Sequence, residues 1–127
     1  MSRVALAFVL MCLLVLSACG HDQTLDFISI EPDSVTITGA GLQVHYTALG
    51  HYSHPPNIKD ITHQLTWASS SPQIITVDQN GVATSTQGCG TNLEITATSS
   101  PNTPKADSVV VGRVTVNVKQ PNDPNCP

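Results

Sequence analysis

LTWASSSPQIITVDQNGVATS, residues 65–85, holds three short apolar runs separated by turn-forming residues. Leu65 and Trp67 alternate with Thr66, the period of two that sends successive side chains to opposite faces of a strand. Ser69-Ser70-Ser71-Pro72 then bends the chain, with hydroxyls suited to bonding nearby backbone. Ile74–Val77 and Val82–Ser85 are two β-branched runs. Between them, Asp78-Gln79-Asn80-Gly81 supplies the Asn-Gly pair whose positive φ suits a tight hairpin. The stretch reads as strand, bend, strand, hairpin turn, strand.

The same alternation continues outward in both directions. Leu42, Val44, Tyr46 and Ala48 point one way while Gln43, His45 and Thr47 point the other. Leu93, Ile95 and Ala97 alternate with Glu94, Thr96 and Thr98, and Val114, Val116 and Val118 with Thr115 and Asn117. Shorter runs lie at Phe27–Ile30 and Val35–Thr38, divided by Glu31-Pro32-Asp33-Ser34 because proline cannot donate to a ladder. From residue 19 onward Thr, Val and Ile supply 32 of 109 residues, and Glu, Lys and Arg only six. Strand formers dominate and strong helix formers are scarce. Seven to eight strands in a chain of this length predict an all-β, two-sheet sandwich. Two segments carry no strand signal: Gly50–Thr62, expected to be a loop, and Ser99–Asp107, expected to be a long hairpin loop. The tail, residues 120–127, has three prolines in eight residues and is expected to be extended.

Thr66-Trp67-Ala68-Ser69-Ser70-Ser71-Pro72, Ile75-Thr76-Val77-Asp78 and Asn80-Gly81-Val82-Ala83-Thr84 together resemble a bacterial Ig-like domain of group 2. Ile28-Ser29-Ile30-Glu31-Pro32 and Ile95-Thr96-Ala97-Thr98, the latter preceded by Gly88 or Gly90, fit the same pattern. The resemblance spans roughly residues 25–118 and implies an Ig-like sandwich. The sequence departs from the family in a histidine-containing insert after the Leu42–Ala48 strand and in two added cysteines.

At the amino terminus, Arg3 precedes thirteen apolar residues, Val4 to Leu16. That run is too short to span a bilayer, which takes about 20 residues, but it has the layout of an export signal. It ends in Leu16-Ser17-Ala18-Cys19, which resembles the lipobox of bacterial lipoproteins. The resemblance implies diacylglycerol on the Cys19 thiol, cleavage before it and acylation of the new terminus. The expected organisation is a signal peptide at 1–18, a lipidated tether at 19–24, an Ig-like domain at 25–119 and a proline-rich tail at 120–127. Gly20 stands where an inner-membrane retention signal would place Asp, which favours the outer membrane in a cell that has two.

Charge and motif content narrow the function classes. The 127 residues allow one domain, and 5 Lys+Arg against 9 Asp+Glu leave no basic footprint for nucleic acid. Ser, Thr, His and Asp occur without a Gly-x-Ser-x-Gly elbow or a phosphate-binding glycine loop, so no enzyme is expected. No cofactor is expected beyond the covalent lipid. The expected partners are the membrane, through that lipid, and a protein or glycan that the sequence does not name.

Three side-chain groups stand out. His51, His54 and His63 lie close enough in sequence to share a metal, since neutral imidazole ligates zinc and copper, although the spacing matches no structural zinc pattern. A Pro-Pro loop is also simply extended and solvated. Trp67 reads either as a sugar-stacking ring or, because it shares a face with Leu65, as a core residue of an Ig-like sandwich. Cys12 leaves with the signal and Cys19 takes the lipid, so Cys89 and Cys126 remain for a disulfide in an oxidising compartment. In an Ig-like order the strand near Leu93 begins, and the strand near Val118 ends, at the same end of the sandwich, which brings the two within reach.

Overall fold

A computed structural model describes residues 22–100 and 103–126. Ten strands follow one another: β1 (Thr24–Glu31), β2 (Val35–Thr38), β3 (Gln43–His45), β4 (Thr47–Ser53), β5 (Asn57–Asp60), β6 (Leu65–Ser69), β7 (Ile75–Val77), β8 (Val82–Ser85), β9 (Gly90–Ser99) and β10 (Val111–Lys119). A 3-10 turn, Thr62–Gln64, links β5 to β6. Hydrogen bonding orders the strands as β1-β4-β5, β2-β10-β9-β6 and β3-β8-β7.

The first and third of these ladders belong to one layer. Only Tyr46 separates β3 from β4, and Val44, Tyr46, Ala48, Gly50 and Tyr52 alternate inward without a break. At Tyr46, whose N donates to Gly81 O in the β7–β8 turn at 2.8 Å, the chain changes partner from β8 to β1. The other layer is the β2-β10-β9-β6 sheet. Pro32 lies where the chain crosses between layers: β1 pairs antiparallel with β4, and β2 pairs parallel with β10 from Val35↔Val116 to Thr38↔Lys119. The inward faces meet in one core whose fully buried side chains include Tyr46, Ile61, Ile75, Ile95, Val116 and Val118. Apolar burial of this kind is the main stabilising term, about 1.5–3 kcal/mol for each large side chain.

Two expectations from the sequence are corrected. Residues 50–62 are not a loop: β4 runs through Ser53, and Asn57–Asp60 pairs back on it with His51↔Ile58 and Leu49↔Asp60. The inward position at the start of this segment is Gly50, which leaves no hydrophobic mark although a Cβ there would meet Ile61 Cδ1 at 2.7 Å. Strand β5 is an edge strand exposed at all four residues, so it has no buried face to produce a period. With the interruption at Tyr46, this raises the count from eight runs to ten strands. The tail is not extended either: Asp123 N donates to Gln120 O and Cys126 N to Asp123 O, making two successive turns.

The Asn-Gly hairpin is present as the sequence indicates. Gly81 has φ +76°, and Asp78 Oδ1 accepts from Asn80 N at 2.8 Å and Val82 N at 2.9 Å. A Cβ at residue 81 would lie 2.6 Å from Tyr46 O, so both the φ and the close approach require glycine.

Candidate functional site

Cys19 and the apolar run before it lie outside the described residues. The first described residues sit at one end of the sandwich, beside the β4–β5 hairpin and the segment between β9 and β10. Thr24 pairs with Ser53, and Leu25 N donates to Lys105 O at 2.9 Å.

Cys89 and Cys126 form a disulfide at the opposite end, with Cα atoms 5.7 Å apart. The register accounts for the meeting. Gly90 opens β9 opposite Val118 near the end of β10, so the residue before one strand and the tail after the other emerge together. The Gln120 side chain adds a second attachment, donating to Thr86 O at 2.9 Å and Gly88 O at 3.1 Å. Closing 37 residues of sequence separation stabilises by about 4 kcal/mol in the chain-entropy model. Asp123 lies beside this bond, and Cys89, Asp123 and Cys126 offer ligand atoms within 4.8 Å of one another. The two sulfurs are bonded to each other, however, and a disulfide supplies no thiolate for a metal.

The three histidines singled out by spacing are dispersed. His51 on β4 stacks on Phe27 with ring centroids 4.0 Å apart, and its Nε2 lies 2.8 Å from Ser29 Oγ. His54 sits exposed at the hairpin tip with φ +54°, and His63 lies exposed in the 3-10 turn. Among the described residues no cluster of three His, Cys, Asp or Glu ligands includes any of them. Asp60, close by in sequence, instead organises backbone. Its Oδ1 accepts from Thr62 N at 3.0 Å and Thr62 Oγ1 at 2.6 Å, while Thr62 Oγ1 accepts from Ala48 N at 2.9 Å. Those two bonds from Thr62, with the His63 charge nearby, hold the Asp60 carboxyl below its ordinary range.

Trp67 is a core residue. It is 3% exposed, its indole N–H donates to Thr62 O at 2.9 Å, and its ring stacks on Tyr46 with centroids 6.5 Å apart. A ring so enclosed has no face to offer a sugar. Tyr46 Oη is buried beside it with no hydrogen-bond partner among the described residues, and burial raises its pKa. The Ser-rich bend is also spent on backbone: Ser69 Oγ accepts from Ser71 N at 3.1 Å, and Ser70 Oγ from Glu94 N at 2.9 Å.

Sequence reasoning missed the outward row Phe27–His51–Ile58, which crosses β1, β4 and β5 in register. Phe27 is 54% exposed and Ile58 58%. The row was hidden because β5 carries no period, and without β5 the register that unites the three residues cannot be drawn.

Compared with models of known protein families and with curated proteins, the chain matches none.

Proposed function

We propose that this chain is a lipid-anchored protein of a bacterial cell envelope whose single Ig-like sandwich serves as a non-enzymatic interaction, adhesion or structural module. The observation that carries the reading is a register: Val4–Leu16, then Leu16-Ser17-Ala18-Cys19, then a first strand that opens at Thr24. A lipid-accepting cysteine five residues ahead of a folded domain is placed to serve as an anchor. The resemblance of residues 25–118 to group 2 bacterial Ig-like domains supports the module, and a disulfide suits an exported chain. The fold alone does not name the task, because sandwiches of this kind host many.

Growth with a labelled fatty acid tests the anchor. The parent protein is expected to carry label and sediment with membranes, and Cys19→Ser to carry none. Label retained by Cys19→Ser would overturn the reading.

A further inference from the structure

The base of the tether is clamped on two sides. Gln23 Nε2 donates to Pro55 O at 3.2 Å, and Gln23 Oε1 accepts from Lys59 Nζ at 2.9 Å, which ties it to the β4–β5 hairpin. On the other side the Lys105 ammonium lies 3.9 Å from an Asp22 carboxylate oxygen, and Lys105 O accepts from Leu25 N. Only Gly20 and His21 separate Asp22 from Cys19. Three residue steps reach at most about 11 Å, so a lipid on Cys19 holds this end of the sandwich against the bilayer surface. The disulfide end lies a full β9 strand away, about 30 Å at ~3.3 Å per residue.

Exposed apolar side chains gather at the tethered end. Phe27, His51 and Ile58 form one cross-strand row on the outward face, with the Phe27 ring stacked on the imidazole. Val109 and Val111, 73% and 37% exposed, lie at the same end where the chain enters β10, but in the other layer and outside the row. Among the described residues the other exposed large apolar side chain, Leu42, lies at the far end, where Ser85 N donates to its carbonyl. Adjacent exposed apolar groups such as Phe27 and Ile58, joined through His51, mark an interaction site, and the tether decides what that row meets. Two acidic groups at this end are already engaged: Asp26 Oδ1 accepts from Ser53 Oγ at 3.0 Å, and Asp107 Oδ2 from Thr24 Oγ1 at 3.5 Å. From residue 19 onward the chain has nine acidic and four basic side chains, which suits a zwitterionic lipid surface better than an anionic one.

We propose that the Phe27–His51–Ile58 row is a lipid-contact surface: with the chain anchored through Cys19, Phe27 and Ile58 enter the headgroup region of the same bilayer and fix the tilt of the sandwich on it. The proposal rests on the lipid anchor proposed above. An aromatic ring and a branched aliphatic side chain gain by leaving water for the boundary between headgroups and acyl chains.

The full lipidated chain in phosphatidylcholine vesicles, with and without brominated acyl chains, provides the test. Phe27→Trp places a reporter in the row, Leu42→Trp places one at the far end, and the buried Trp67 of the parent sets the baseline. The expected result is a blue shift and a loss of emission in brominated vesicles for Phe27→Trp, with neither for Leu42→Trp. Emission from Phe27→Trp that brominated lipid leaves unchanged, in protein that floats with the vesicles and carries fatty-acid label, would overturn the row while leaving the anchor standing. A blue shift that grows with protein density without quenching would overturn it in favour of a second copy. Equal quenching of both reporters would overturn the fixed tilt. Protein without label that does not float would overturn the anchor, and the row with it.

Discussion

The two ends of the sandwich are closed in different ways. At one end Cys89–Cys126 and the two bonds from Gln120 fix the tail across the start of β9 and the end of β10. At the other, residues 22–25 are held by one ion pair and a few hydrogen bonds, largely exposed, between the β4–β5 hairpin and Lys105. Exposed ion pairs contribute little, about 0–1 kcal/mol, so this clamp orients the chain more than it stabilises the fold. The covalent closure lies far from the end where residues 22–25 enter the sandwich. The proposed lipid anchor would restrain one end of the domain from outside, and the far end is where a crosslink adds a restraint that such an anchor would not provide.

Removing the ring between Tyr46 and Thr62 is expected to have the largest effect, because the indole lies in the core that both layers share. Trp67→Ala should cost roughly 3–5 kcal/mol in denaturant unfolding, a large part of a small domain's stability. A near-neutral result would contradict the enclosed position of the indole.

Opening the far end comes next. Cys89→Ser with Cys126→Ser should lower stability by roughly 2–4 kcal/mol and expose the tail after Lys119 to proteases, with cleavage appearing there first. Unchanged protease resistance would show that Gln120 holds the tail alone.

The end that holds residues 22–25 is sharper in its packing than in its charges. Gly50→Ala places a methyl 2.7 Å from Ile61 Cδ1 and 3.1 Å from Leu25 Cδ1. An overpacked core typically loses about 1–3 kcal/mol, and the loss should appear as faster hydrogen exchange in β4 and β5 than in β9 and β10.

Asp60→Ala should have the smallest effect, about 1 kcal/mol, measured by thermal unfolding across pH. The folded-state pKa of Asp60 is depressed by its bonds from Thr62, so its contribution is present above the unfolded value, near 4 for a carboxyl, and fades as pH falls through the folded value. The variant should therefore differ from the parent at neutral pH and converge with it in acid. A difference that persists unchanged in acid would remove Asp60 from that role.

What the sequence made legible follows from which residues carry a period. Leu93–Thr98, Val114–Val118 and residues 65–85 lie on strands with one buried face, so alternation locates them. The start of one strand and the end of another then placed Cys89 near Cys126. Strand β5 is exposed on both faces, and Gly50 packs inward without a side chain, so the hairpin that carries His51, His54 and Ile58 gave no signal. The proximity of three histidines in sequence suggested a shared ligand, but pairing across β1, β4 and β5 turned His51 toward Ser29 and Phe27. In the tail, three prolines suggested extension. Asp123 overrode them, its Oδ1 accepting from Asn125 N at 2.9 Å to make the turn that delivers Cys126.

Peptide mapping without reduction, on protein extracted from the envelope of cells expressing the full chain, tests the central claim most directly. The account predicts an amino-terminal peptide that begins at Cys19 and carries diacylglycerol on its thiol and an acyl chain on its amino group, and a second species joining the peptides of Cys89 and Cys126. An amino terminus at any other residue, with an unmodified Cys19 thiol, would contradict it.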